Sequence, residues 1–261
     1  EMADAIQKHG GRAIVISRGG PMVRHLDRLG AKHYQLDVHT KNPFRWPQVR
    51  SRLKVILSRE KADLVHVRSR VPAWIALPAA AALGIATVST VHGRFIARSA
   101  FKRIYNRKLL KTDHVIAISN YVKDLITSQY VDVEDRLTVV HRGVDVDLFN
   151  PDNVNQTRIV NFVEGLAIPE DVPVIMLPAR ATMWKGHQIL LQALAKIKDR
   201  PFICLMIGAG DGKPAFVSEL VRYGQQLGLE GRFRLTPLVD DMPAALMVAD
   251  VVAMPSITPE P

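Results

Sequence analysis

The sequence predicts an α/β protein built twice over: two doubly wound units, each a parallel sheet with helices on both faces. Three observations carry this. Short apolar runs alternate with segments of helical spacing along nearly all of the 261 residues, the trace that parallel sheets with crossover helices leave in a sequence. The alternation breaks once, at Gly143–Asn153, where Gly143, Asp145, Asp147, Asn150, Pro151 and Asp152 crowd together as turn formers do. Charge also changes across that break. Residues 1–150 hold 25 Lys and Arg against 13 Asp and Glu, whereas residues 151–261 hold 10 against 12. The expected division is therefore 1–150 and 151–261, with a cleft between the two units of the kind that takes small ligands.

Within the first unit the apolar runs place strands at Ala13–Ser17, His33–Leu36, Leu64–Val67, Ile85–Val91, His114–Ile118 and Leu137–Val140. Helical spacing falls between most of them, at Pro21–Leu29, Trp46–Arg59, Ala73–Leu83, Ala100–Leu110 and Asn120–Gln129, and Glu1–His9 reads as part of a further helix. After the break the pattern restarts. Helices are expected at Gln156–Leu166, Gly186–Ile197, Pro214–Leu227 and Met242–Val248, and strands at Val172–Leu177, Phe202–Ile207, Arg232–Leu235 and Val251–Met254.

Composition narrows the class. A hydrophobic content of 48% without low-complexity stretches marks a globular chain. The single cysteine excludes an internal disulfide framework; Cys204, inside an apolar run, is expected in the core, and a cytosolic setting fits. The 21 residues from Val71 to Val91 carry no charge, yet Pro72, Pro78 and Gly84 divide them into a helix and a strand, each too short to cross a bilayer.

The basic excess peaks at Arg94–Lys111. Arg94, Arg98, Lys102, Arg103, Arg107, Lys108 and Lys111 meet no acid there, and Phe101, Ile104 and Tyr105 interleave at helical spacing. The pattern fits a solvated helix face. It also fits a basic amphipathic helix for an anionic membrane surface or a phosphorylated acceptor. No nucleic-acid motif accompanies the charge, so no nucleic-acid partner is expected.

Candidate site residues cluster at predicted strand ends, where open α/β sheets bind ligands. Arg180 and Lys185 stand between a strand and a helix, either as solvated loop charges or as a grip on a diphosphate. Gly208-Ala209-Gly210-Asp211-Gly212 also follows a strand. Its glycines suit a tight turn or close backbone approach to a nucleotide, though the spacing is not that of the dinucleotide fingerprint. His92-Gly93 ends another strand. Ser256 and Glu260 lie beyond the last one, where a hydroxyl and loop amides can hold phosphate and a carboxylate can accept sugar hydroxyls. Asp145-Val146-Asp147 falls in the linker and reads as turn chemistry rather than a metal pair. Nucleophile elbows, zinc-protease helices, Cys-x-x-Cys pairs and Walker loops do not occur.

Taken in order, Val91-His92-Gly93, Val115–Ser119, Arg142-Gly143-Val144-Asp145 with Phe149 and Pro151, Arg180 with Lys185-Gly186, Gly208-Ala209-Gly210, and Pro255-Ser256 with Pro259-Glu260-Pro261 resemble the retaining GT-B glycosyltransferases of group 1, family 4. The resemblance implies two Rossmann-like domains, an acceptor-binding one first and a nucleotide-sugar-binding one second. It implies that Arg180 and Lys185 hold the donor diphosphate, His92 lies near the donor sugar, Gly208 and Gly210 near the nucleotide, and Glu260 opens a Glu-x7-Glu motif. The nucleotide-sugar is then a co-substrate, and neither a metal nor another cofactor is required. Arg142 departs from the pattern by standing where asparagine is common. The motif's second glutamate would lie past Pro261, and a glycine-rich first loop would precede Glu1. The expectation is therefore a piece truncated at both ends, with weak or no turnover in isolation. The His66–Trp74 stretch and the basic first unit look like family members that build lipopolysaccharide or other surface glycans, so the expected acceptor is a cell-envelope glycan or glycolipid, reached in the cytoplasm or peripherally on the inner membrane face. A non-catalytic sugar- or nucleotide-binding protein shares the cleft but not the need for the two cations. A basic membrane-surface module explains the charge but not the second unit's loops.

Overall fold

A computed structural model describes residues 2–93, 95–97 and 99–260. The Arg94, Arg98 and Pro261 named above lie outside these, as does Glu1. The described chain separates into two compact units, the first running to Arg142 and the second from Gly143 to Glu260. The division falls at the start of the turn-rich linker.

The first unit runs α1 (Met2–Lys8), β1 (Ile14–Ser17), α2 (Val23–Arg28), β2 (Lys32–Gln35), α3 (Trp46–Arg59), β3 (Leu64–Val67), α4 (Arg70–Ala81), β4 (Ala86–Val91), α5 (Ala100–Arg107), β5 (His114–Ala117), α6 (Asn120–Thr127) and β6 (Leu137–Val139). All of its strand pairs are parallel, but they form two sheets rather than one. β1 and β2 pair with each other, and the other four lie in the order β3-β4-β5-β6. Val49, Leu53 and Leu57 of α3, spaced by four, bury one helical stripe against α4 and the four-stranded sheet.

α4 begins at Arg70, earlier than its apolar pattern suggests, so Pro72 falls in the first turn, where a missing N–H costs nothing. Pro78 lies inside it and cannot donate to the Trp74 carbonyl one turn back. Arg50 of α3 donates to that oxygen instead, at 3.4 Å. Among the described residues no helix is long and apolar enough to cross a membrane.

The second unit runs α7 (Gln156–Gly165), β7 (Val174–Met176), α8 (His187–Ala195), β8 (Ile203–Ile207), α9 (Pro214–Gln226), β9 (Phe233–Thr236), α10 (Met242–Val248) and β10 (Val251–Val252). Its sheet is parallel, in the order β10-β7-β8-β9. All five residues of β8 are buried, as expected of a central strand covered on both faces. Cys204 and Met206 pack with α8 and α9, while Ile203, Leu205 and Ile207 pack with α7 and α10. The unit is therefore doubly wound, and Cys204 sits in the core with its thiol pushed up to about 12 by burial.

β7 and β10 are shorter than their apolar runs. Pro173 and Pro178 bracket β7 and lack the N–H a ladder needs, and Pro255 closes the run after β10. Asp145 closes a local turn, its Oδ1 accepting from the backbone of Asp147 (3.2 Å) and Leu148 (3.0 Å). Among the described residues no group of acidic, histidine or cysteine side chains is arranged to hold a metal ion.

Candidate functional site

The strand order of the second unit reverses between β7 and β10: β8 and β9 extend from one side of β7, and β10 returns to the other. Loops leaving the C-terminal ends of two such strands diverge and leave a crevice, the usual ligand site of an open α/β sheet. Arg180 and Lys185 follow β7; Ser256 and Glu260 follow β10.

The two loops are stitched together. Ile257 donates its backbone N–H to the Trp184 carbonyl at 2.9 Å. Gly186 is left-handed, with φ 75°, and a Cβ there would lie 1.9 Å from the Pro255 carbonyl oxygen. Only glycine allows both this turn and this approach. The sequence places Lys185 directly before a helix; the structure adds a short 3-10 turn, Met183–Lys185, that lifts it towards the neighbouring loop.

Lys185 Nζ donates to both oxygens of Glu260, at 2.6 and 2.8 Å, and lies 4.4 Å from the centroid of the Trp184 ring. Ser256 Oγ donates to the same carboxylate. Burial works to raise the Glu260 carboxyl, but the hydrogen bonds from Lys185 and Ser256 prevail and hold it below the usual carboxylate range. Lys185, Glu260 and Ser256 thus form one polar cluster, in which the cation is matched by the carboxylate.

Arg180 takes a different position. It is exposed and lines a cavity of about 330 Å³ together with Pro178, Ala179, Gly208, Asp211 and Leu238. His187, buried at the start of α8, reaches back to the Ala179 carbonyl at 3.2 Å and anchors the loop that carries Arg180. Burial keeps this imidazole below its ordinary pKa, so it is neutral and donates. Gly208 faces the cavity with φ 80°. Gly210 is bare for another reason: a Cβ there would come within 3.0 Å of the backbone at Thr236 and Pro237, so its role is close packing of the two loops. Asp211 fixes the opposite wall by accepting from the Leu238 N–H at 2.7 Å.

His92 lies in the first unit, just past β4. Its ring meets Arg68 Nε at 2.8 Å through Nε2 and Arg142 Nη2 at 3.2 Å through Nδ1. Burial, then the charges of Arg68, Arg142 and His66, bring its pKa down to about 4. Sequence reasoning singled out His92 and noted Arg142 only as a departure from pattern. It missed Arg68, which meets His92, 24 residues further on, and it missed Trp184 and His187, apolar or unremarkable in pattern, whose contacts with Lys185 and the Ala179 carbonyl appear only in the folded loop. The available signals were that Arg68 directly follows a predicted strand and that Trp184 and His187 flank Lys185-Gly186.

The basic helix α5 spans Ala100–Arg107. Its apolar residues divide. Tyr105 is half-buried and stacks on Trp74, with ring centroids 6.4 Å apart, whereas Phe101 is 80% and Ile104 63% exposed beside Lys102, Arg103 and Arg107.

Comparison with known proteins matches residues 1–148 to Glycosyltransferase Family 4 and residues 172–260 to Glycosyl transferases group 1. The D-inositol 3-phosphate glycosyltransferase of Xylanimonas cellulosilytica is 34% identical over 137 residues, which are 51% of this chain and 32% of that protein. The protein of the same name from Corynebacterium glutamicum is 30% identical over 165 residues, 60% of this chain and 39% of its own. The chain thus spans less than two-fifths of the length of these two relatives. A crystal structure of a glycosyltransferase from Rickettsia africae ESF-5, 33% identical, superposes with a TM-score of 0.87 over 99% of this chain and 68% of that one. Anabaena HepE in complex with UDP-glucose, 21% identical, superposes with a TM-score of 0.82 over 100% of this chain and 70% of that one, a likeness of fold.

Proposed function

The chain belongs to glycosyltransferase family 4, with the GT-B fold of two Rossmann-like units, and from that premise we propose that it transfers a sugar from a nucleotide-sugar donor to a phosphorylated or lipid-linked acceptor of the cell envelope. The single observation that carries the reading is a pair of cations at the C-terminal edge of one parallel sheet: Arg180 lines the cavity among the loops after β7, β8 and β9, and Lys185 sits in the polar cluster between the loops after β7 and β10. Breaking the bond between sugar and diphosphate leaves negative charge on the departing oxygen. Fixed cations stabilise that charge more in the transition state than before it, which is what accelerates the step.

In this reading Arg180 and Lys185 hold the donor diphosphate, Gly208 faces the nucleotide while Gly210 lets its loop pack against Thr236 and Pro237 behind it, and Ser256 and Glu260 meet the donor. Retention of configuration and independence of a metal belong to the same proposal. The acceptor class is supported by the named substrate of the inositol 3-phosphate relatives and by the basic excess of residues 1–150. The exposed Phe101 and Ile104 among the cations of α5 support peripheral contact with an anionic inner membrane face.

The test is calorimetric titration of the protein with UDP, GDP and ADP and their common sugar conjugates. Saturable binding of one nucleotide is expected, lost in Lys185→Ala. Removing that cation should slow transfer by about 3 kcal/mol, a few hundredfold, by analogy with lost oxyanion donors. Binding of none of them, or equal binding by Lys185→Ala, would overturn the reading.

A further inference from the structure

Arg68, His92 and Arg142 follow β3, β4 and β6, three strands of one parallel sheet, on the side where such sheets bind ligands. The ion pairs among the described residues include neither Arg68 nor Arg142. Their contacts with the imidazole are also mismatched. Arg68 Nε donates to His92 Nε2 at 2.8 Å, so a neutral ring carries its proton on Nδ1. Nδ1 lies 3.2 Å from Arg142 Nη2, and a guanidinium has only donors. Two donors therefore face each other with no acceptor between them. Protonating the ring would leave donors facing arginine on both sides, in keeping with an imidazole held well below its ordinary pKa by burial and by Arg68, Arg142 and His66.

We propose that Arg68, His92 and Arg142 form an oxyanion subsite of the first unit, taking a phosphate group carried by the acceptor. A phosphate oxygen accepts from the Nδ1–H and from a guanidinium at once, which removes the mismatch. Each guanidinium fork can take two oxygens of the tetrahedral phosphate in parallel bonds. A phosphate monoester carries about −1.5 to −2 near neutral pH and so balances two arginines, whereas a sugar hydroxyl brings an acceptor but no charge. Assigning the phosphate to the acceptor rests on the transferase reading, in which the donor diphosphate belongs to Arg180 and Lys185.

The test follows the His92 imidazole by ¹⁵N NMR in the whole chain, its signal assigned with His92→Gln. Inorganic phosphate, glucose 6-phosphate, and phosphatidylcholine vesicles with and without phosphatidate are the probes. Inorganic phosphate should raise the His92 pKa saturably, by roughly one unit or more. Arg142→Gln should weaken that response about tenfold or more, and Arg142→Lys, which keeps the charge but not the fork, should restore part of it. A response to glucose 6-phosphate identifies a soluble phosphorylated acceptor; a response to vesicles only when phosphatidate is present identifies a lipid one. Absence of a phosphate response at His92, or one unchanged in both Arg68→Gln and Arg142→Gln, would overturn the subsite. A parallel UDP, GDP and ADP titration with Lys185→Ala separates the two readings. Nucleotide binding without the His92 response overturns only the subsite, and the reverse overturns only the donor assignment.

Discussion

Replacing Gly186 with alanine should damage the second unit in two separable ways. The first is conformational: a left-handed φ of 75° costs an L-residue about 1–2 kcal/mol. The second is a collision. The new Cβ would lie 1.9 Å from the Pro255 oxygen, and ordinary contact begins at 3.4 Å, so the two loops must part by 1.5 Å. Such a movement breaks the hydrogen bond from Ile257 to the Trp184 carbonyl, worth about 1 kcal/mol. It also carries Lys185 Nζ from 2.6 Å beyond hydrogen-bond reach of Glu260. Gly231 provides the control, with the same φ of 75° and nothing within 4 Å of its virtual Cβ. Gly231→Ala should therefore cost only the conformational part. Gly186→Ala should cost about 2–4 kcal/mol in all, lowering the melting temperature by about 2–4 °C per kcal/mol. Thermal unfolding of both variants, followed by calorimetric nucleotide titration, checks this. Equal melting shifts in the two, or native nucleotide affinity in Gly186→Ala, would refute the account of the stitched loops.

Three further outcomes are expected. Asp241 caps α10 by accepting from the Ala244 N–H at 3.1 Å and holds Arg158 through two bonds of 2.7 and 2.8 Å, so Asp241→Ala should destabilise by about 1–2 kcal/mol in chemical denaturation. The hydrogen bond from Arg158 is the main cause of its lowered carboxyl pKa. Its contribution is therefore present above the ordinary value of 3.8 and fades as pH falls through the folded one, so wild type and variant should converge in acid. Phe101→Glu with Ile104→Glu should abolish sedimentation with phosphatidylglycerol vesicles while leaving the melting temperature unchanged, since both side chains are exposed; full retention on vesicles would remove the membrane role from α5. Cys204, 0% exposed and with its thiol raised to about 12, should react with a thiol reagent only at the rate of unfolding, and fast labelling of the native chain would contradict the core assignment.

Local patterns were readable wherever one residue's neighbours in sequence were also its neighbours in space. Helical spacing marks Trp46–Arg59 through Val49, Leu53 and Leu57, and it marks Met242–Val248 likewise. The second unit's order of elements is legible for the same reason. Pairing between strands is not local, which is why the separation of β1 and β2 into their own sheet left no mark in the apolar runs. The site divides likewise. Arg180, Lys185, Ser256, Glu260 and His92 stood out as charges or hydroxyls at strand ends. That Lys185 would be matched by Glu260, or that His92 would be flanked by Arg68 and Arg142, depended on contacts across the sheet. The same limit applies to α5, where periodicity grouped Phe101 and Ile104 with Tyr105, although only Tyr105 finds an aromatic partner.

The polar cluster joins the loops that follow β7 and β10, and its closing contact spans 75 residues. Contacts between distant parts of a chain form late, because the intervening segment must first give up its freedom. During synthesis the Lys185 loop therefore waits for β8, β9 and β10, with the helices between them, before it meets Glu260. A molecule that grips both loops binds only a chain in which these four strands have come together, and so stabilises that assembly over the open chain.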